Sequence, residues 1–242
     1  MSARLHVGEI PLAAGASLAL PREASHHALR VLRLRDGDAV TLFDGRGGEW
    51  HGVIASGGRR GEDAIVAIER FDAVERESPL AVKLAMSTLA TDAMDYAVRK
   101  AVELGCASVA PVVAARSQGA SHRGTRVEHW RRIAIAACEQ CGRNRIPPID
   151  APVTLAAWLD ARDAGRPGIV FAPGAGATLA SLAPTPALDV LVGPEGGFDA
   201  AELAAAKLAG LTAVSLGPRV LKAETAAVAA LSALQALHGD LR

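Results

Sequence analysis

The feature that most constrains the fold is a change of rhythm at Leu80, after which short apolar runs alternate with longer amphipathic ones to the end of the chain. "LAVKLAMST" reads as a strand, and "AMDYAVRKAVELG" as a helix stopped by Gly105. "ASVAPVVAA" is a strand, and "RVEHWRRIAIAACEQCG" a helix with Trp130, Ile133, Ala134 and Ala137 on one face. "GIVFAP" and "LDVLVG" are strands, "AAELAAAKLAG" a helix, "LTAVSLG" a strand and "ETAAVAALSALQAL" a closing helix. This alternation predicts an α/β fold, a parallel sheet covered by helices on both faces. In such sheets ligands bind beyond the carboxyl ends of the strands.

The first 70 or so residues follow a different pattern. "DAVTLFDGRGGEWHGVIA" alternates apolar and polar residues on both sides of a glycine-rich turn, Asp44 to Gly48, and reads as a hairpin. "EDAIVAIERF" adds a strand, and a short helix is expected over Glu23–Leu32. Short strands with one small helix predict a compact barrel-like module. Charges and a proline in "DAVERESPL" break the pattern, so the boundary is placed near residues 72–79, giving domains 1–73 and 74–242.

Composition narrows the function classes. At 50% hydrophobic and 21% charged residues, the 242-residue chain carries enough apolar material for a sizeable core. No stretch approaches about 18 uncharged apolar residues, so no membrane span is predicted. The N-terminal "MSARLHVGEIPLAAG" lacks the apolar core of a signal peptide, and a cytoplasmic protein is expected. Three cysteines argue against a disulfide framework. Cys138-x-x-Cys141 sits at a helix end without a second ligand pair, so neither redox chemistry nor a metal site is assigned to it.

The 26 basic and 26 acidic residues cancel, which excludes a strongly basic nucleic-acid binder by totals alone. Their distribution is uneven. Between Arg116 and Arg145 stand arginines 116, 123, 126, 131, 132, 143 and 145 against only Glu128 and Glu139. Arginine offers a planar fork that grips phosphate with two hydrogen bonds; a solvated helix face is the plainer reading of the same charges.

Two strand ends carry more turn residues than a connector needs. Gly193-Pro194-Glu195-Gly196-Gly197 follows an apolar run and precedes a helix for which Asp199 and Glu202 form a capping-box pattern. "LGPRVLKAET", Leu216 to Thr225, places a second Gly-Pro directly after a strand. The two turns are expected side by side at one edge of the sheet, where their glycines let a ligand approach the backbone. Neither carries the G-x-G-x-x-G of a dinucleotide site nor the Gly-Lys-Ser/Thr of a P-loop. Backbone groups beside small apolar residues suit an adenosine-like ligand without phosphates.

These motifs together carry a resemblance. "LVGPEGGF", "LGPRVLKAETAAVAAL", "MDYAVRKAVELG" and "EQCGRNRIPPI" resemble, in order and spacing over nearly the whole chain, the bacterial 16S ribosomal RNA uridine-N3 methyltransferases. That family belongs to the knotted SPOUT class and uses S-adenosylmethionine. "SHHALRVLRLRDGDAVTLFDGRG" is similar to the family's N-terminal PUA-like RNA-binding barrel. The resemblance implies a SPOUT-like parallel sheet with a C-terminal trefoil knot, and a homodimer with each cofactor near the subunit interface. It also implies methylation of N3 of a uridine in the small subunit's 16S rRNA. The alternative is a non-catalytic RNA-binding assembly factor on the same fold. The chain departs from the family in one loop. Where relatives carry a pattern like Lys-Gly-Asp-Arg-Met-Asp, it reads Ala90-Thr91-Asp92-Ala93-Met94-Asp95, without the two cations.

Carried onto this sequence, the resemblance places S-adenosylmethionine against Leu191, Gly193, Pro194, Glu195 and Gly196 of the first bend. From the second it takes Leu216, Gly217, Arg219, Val220, Leu221 and Thr225. Arg219 and Glu195 are the catalytic candidates. Methyl transfer to N3 requires in-line placement, loss of the N3 proton and stabilisation of charge on the uracil oxygens. Arg219 is suited to that charge or to a phosphate; a salt bridge to Glu195 or Glu224 is the alternative. Glu195 binds cofactor, steadies the loop or acts as base. Arg116, Arg143, Asn144 and Arg145 are the RNA-binding candidates, holding the backbone or a flipped base; the plainer reading of the last three is a cationic helix C-terminus.

Overall fold

A computed structural model describes residues 2–57, 63–117 and 125–241. The chain forms two compact units, one of Met1–Glu77 with Cys138–Ile146, the other of Ser78–Ala137 with Pro147–Arg242. The N-terminal segment of the first unit ends at Glu77. The unit also takes in a segment from the middle of the chain, because Arg143 and Asn144 are hydrogen-bonded within it.

The first unit is built from β1 (Ala3–His6), β2 (Ser17–Ala19), α1 (Arg22–His26), β3 (Ala39–Phe43), β4 (Glu49–Ser56) and β5 (Ile65–Asp72). Among the described residues these strands form one mixed sheet in the order β1-β3-β4-β5-β2, with β1 parallel to β3 and the rest antiparallel. Leu5 and Leu18, from the two edge strands, enter one core with Leu42, Ile54 and Val66. The hairpin expected around Asp44–Gly48 is the β3–β4 connection.

The expected single helix over Glu23–Leu32 is not uniform. Beyond α1 the chain widens into a π-helical turn, His27–Val31, with Leu32 N bonded to His27 O at 2.9 Å. Leu34 N then reaches back six residues to Ala28 O at 3.0 Å. Between them Arg33 adopts φ +57°, the left-handed conformation that usually falls to glycine after a helix.

The second unit contains β6 (Ala81–Ser87), α2 (Thr91–Glu103), β7 (Ser108–Val113), α3 (Thr125–Cys141, whose last turn belongs to the first unit), β8 (Val153–Thr154), α4 (Leu155–Ala161), β9 (Gly168–Phe171), β10 (Ala177–Thr178), β11 (Ala187–Val192), α5 (Ala200–Leu208), β12 (Leu211–Ser215) and α6 (Ala223–His238). Its strands form a parallel sheet in the order β10-β12-β9-β11-β6-β7-β8. After β6 the chain builds outward through β7 and β8, crosses to β9, and later inserts β11 between β9 and β6. One apolar cluster joins Ala85, Ala110 and Leu191 of the strands to Leu155 and Trp158 of α4 and Ala206 of α5. Elsewhere α2 packs on α6, and Ala97 and Ala101 of the one and Ala230 and Leu234 of the other are buried.

Two buried polar groups fix this unit. Gln235, with no exposure, accepts from Ser78 Oγ at 2.6 Å and donates to Leu104 O at 3.0 Å, capping the end of α2. Asp189, near the amino end of β11, faces Arg162 Nε at 3.2 Å and Arg166 Nε at 2.8 Å, the second an ion pair without hydrogen-bond alignment. Arg162 also donates to Ala209 O, and Arg166 to Ala81 O, so one buried carboxylate ties together the foot of the sheet.

Candidate active site

The opposite, carboxyl edge of the sheet holds a cavity of about 330 Å³, within the usual size range of small-molecule sites. Its walls are the exits of β9 (Phe171–Pro173), β11 and β12. The two Gly-Pro bends do not sit side by side as expected, because β9 lies between their strands. They meet across its exit instead, which puts the site where three parallel strands end.

The first bend is a tight turn. Gly197 N bonds to Pro194 O at 2.8 Å, and Phe198 packs on Gly193, where an added Cβ would stand 3.1 Å from the ring. Asp199 then caps α5 by accepting from Glu202 N at 2.8 Å, and Glu202 reciprocates at 3.0 Å. The outer side of the bend is fixed by its neighbours. Ala90 N, at the start of α2, donates to Glu195 Oε1 at 3.4 Å. Arg116, after β7, donates to Gly196 O at 2.8 Å, and Ala115 N donates to Glu202 Oε1 at 2.7 Å. The loop that lacks the family's cations therefore serves as an anchor for the bend.

The second bend turns at Gly217, with φ +97° and open space where a Cβ would be. Arg219 is exposed and makes no ion pair or hydrogen bond among the described residues, so neither Glu195 nor Glu224 occupies it. Beside it Val220 is 81% exposed on the cavity rim.

Of the residues expected at the cofactor, Gly193, Pro194, Glu195 and Gly196 line the cavity from one side, and Leu216, Gly217, Arg219, Val220 and Leu221 from the other. Leu191 and Thr225, also expected there, are not among the lining residues. Leu191 is fully buried in the core beneath the site, and Thr225 is exposed in the first turn of α6, outside the lining. Sequence reasoning missed Phe171, Ala172, Pro173, Phe198, Ala223 and Ala226. The "FAP" of the strand exit was the signal for the first three.

Three of the four RNA-binding candidates, Arg143, Asn144 and Arg145, lie in the first unit, and Asn144 belongs to a cluster around Glu49. Arg4 Nη1 and Arg76 Nη1 donate to Glu49 Oε2 at 2.5 and 2.9 Å, and Arg4 Nη2 donates to Asn144 Oδ1 at 2.5 Å. Burial pushes the Glu49 carboxyl up, but hydrogen bonds from Arg76, Arg4 and Asn144 outweigh it and hold the group at about 2. Arg143 is 4% exposed and forks onto Glu77; Asn144, with no exposure, donates to Val74 O at 2.9 Å. Arg143 and Asn144 are thus both buried and bonded within the unit. Arg145 keeps an exposed guanidinium, paired with Glu75 at 3.0 Å. Arg116 is exposed, and Arg123 lies outside the described residues. Cys138 is buried, and burial pushes its thiol up to about 12, which removes it as a nucleophile at neutral pH.

A parallel α/β sheet with a nucleoside-sized cavity at its carboxyl edge, joined to a small mixed-sheet unit, defines the class of molecule. Residues 76–235 match the RNA methyltransferase domain, and residues 20–66 the RNA methyltransferase PUA domain. The ribosomal RNA small subunit methyltransferase E of Neisseria gonorrhoeae, solved bound to S-adenosyl methionine, aligns with a TM-score of 0.93 at 34% identity over 100% of both chains. The protein of that name from Mycobacterium bovis is 33% identical over 92% of this chain and 87% of its own length. That of Buchnera aphidicola (Acyrthosiphon pisum) is 29% identical over 92% and 89%. The chain belongs to the RNA methyltransferase domain family and, within it, to the family of ribosomal RNA small subunit methyltransferase E.

Proposed function

We propose that this protein transfers a methyl group from S-adenosylmethionine to N3 of a uridine in the 16S ribosomal RNA of the small subunit. The observation that carries the proposal is the cavity between the two Gly-Pro bends. Its lining is mostly apolar and small, its polar groups are largely backbone, and Gly217 leaves open space at its wall. A neutral adenosine with a short cationic tail fits this chemistry; a pyrophosphate does not, since no phosphate-cradling motif is present.

When bound, S-adenosylmethionine supplies an electrophilic methyl on a sulfonium. The remaining work falls to the chain. The backbone of Gly193–Gly196 and Leu216–Leu221 holds the adenosine, with Phe198 and Phe171 closing the apolar wall. Arg219 has no partner among the described residues, and it receives the negative charge that spreads onto a uracil oxygen as the N3 proton leaves, or an adjoining phosphate. Glu195 steadies the first bend through Ala90 N. Arg116, exposed beside that bend, and Arg145 remain the RNA contacts among the original candidates.

Two further readings accompany this one. Val220, exposed at the cavity rim, supports a homodimer with each cofactor near the subunit interface. Light scattering on the purified protein gives the mass that decides it. No helix among the described residues is long and apolar enough to cross a membrane, and a cytoplasmic location follows from a ribosomal substrate. The activity is tested by incubating the protein with labelled S-adenosylmethionine and small subunits from a strain lacking the modification. Label recovered as N3-methyluridine is expected. Cofactor binding without methyl incorporation would favour the assembly-factor alternative.

A further inference from the structure

The exposed arginines of the first unit fall into two kinds. Arg70 pairs with Asp72, Arg145 with Glu75 and Arg46 with Glu9. Arg22, Arg30, Arg33 and Arg35 are also exposed but have no ion pair or side-chain hydrogen bond among the described residues. Only Glu23 offsets them between positions 22 and 35. The next two acids are committed to backbone, Asp36 to Gly57 N at 2.6 Å and Asp38 to Arg35 N at 2.7 Å.

Two further features mark this surface. Val31 and Leu32 stand between the arginines, 58% and 40% exposed, with no role in the core. Arg33 holds the left-handed conformation that closes the π-helical turn. Glycine would take that φ without steric penalty, so an arginine there points to a role for its side chain. Arg30, Arg33 and Arg35 are thereby exposed within one short segment that also holds these two apolar side chains.

We propose that Arg30–Arg35 is the face by which the first unit docks on RNA. Arg30, Arg33 and Arg35 grip backbone phosphates through their guanidinium forks, and Val31 and Leu32 rest on riboses or an unstacked base. The inference rests on the proposed RNA substrate. It goes further by moving the main grip of this unit from the buried Arg143 and Asn144 to the exposed turn that follows α1.

The test is binding of a labelled stem-loop from small-subunit RNA, followed by fluorescence anisotropy across a salt series. Removing three phosphate contacts in the variant Arg30→Gln, Arg33→Gly, Arg35→Gln is expected to weaken binding at least about tenfold at low salt. The slope of log affinity against log salt should fall by about two. S-Adenosylmethionine binding by calorimetry should stay unchanged, since the cavity lies wholly in the second unit. The single variant Arg33→Gly separates structure from function: its melting temperature should hold or rise while RNA affinity falls about threefold. Unchanged affinity and salt slope in the triple variant would overturn the proposal. Wild-type protein that binds S-adenosylmethionine but no RNA would instead remove the substrate reading, and this face with it.

Discussion

Arg116 Nη1 donates to the carbonyl oxygen of Gly196 at 2.8 Å, so the loop leaving β7 holds the bend that walls the cavity. A hydrogen bond from a charged donor contributes about 1.5–3 kcal/mol, less where water competes. At this exposed position, Arg116→Ala is expected to weaken S-adenosylmethionine binding about 3- to 10-fold by calorimetry. Global stability should change little, because the side chain lies outside the core.

Gly217→Ala tests the second bend. The new Cβ meets no atom within 4 Å, so its only cost is the φ of +97°. Holding a non-glycine residue in left-handed backbone costs about 1–2 kcal/mol. The bend should relax away from its cavity-forming shape, and cofactor affinity should fall about 5- to 30-fold with the far-ultraviolet circular dichroism spectrum unchanged.

The Glu49 cluster predicts the acid limb of stability. Its carboxyl is held at about 2, against 4.5 ordinarily. Its contribution is therefore fully present above about pH 4.5 and lost as pH falls toward 2, by at most about 3 kcal/mol. His6, held below 6.5 by burial, acts in the same direction but from a higher pH, as the unfolded chain takes up its proton first. Urea titrations between pH 7 and 3 should show stability falling with acid. Glu49→Gln should be less stable at pH 7 and lose the part of the slope below about pH 4.5 while keeping the part from His6.

How far these features could be read from sequence depends on the range of the interactions behind them. The strands and helices of the second unit follow local periodicity, and the Asp199–Glu202 capping box is a four-residue signal that forms as written. Helix α4 was legible but overlooked: Thr154 accepts from Ala157 N at 3.1 Å, and Leu155, Trp158 and Leu159 are buried at helical spacing. The insertion of β11 between β9 and β6 was not legible, because strand order depends on contacts between distant segments. The fate of Arg143 and Asn144 was hidden for the same reason. Their partners Glu77, Val74 and Arg4 are 66, 70 and 140 residues away.

Asp189 predicts the largest loss of stability from one side chain. Asp189→Ala leaves Arg162, 3% exposed at its side chain, as an uncompensated buried charge beside Arg166. Breaking a buried pair from one side costs about 3–5 kcal/mol. Chemical denaturation should show that loss, in contrast to the small effect expected for Arg116→Ala at the other edge of the same sheet.

The measurement that bears most directly on the account is calorimetric titration of the purified protein with S-adenosylmethionine. One saturable site per chain is predicted, weakened by Arg116→Ala and Gly217→Ala and unaffected by Glu49→Gln at pH 7. Absence of saturable binding to the folded protein, or binding indifferent to both cavity substitutions, would contradict it.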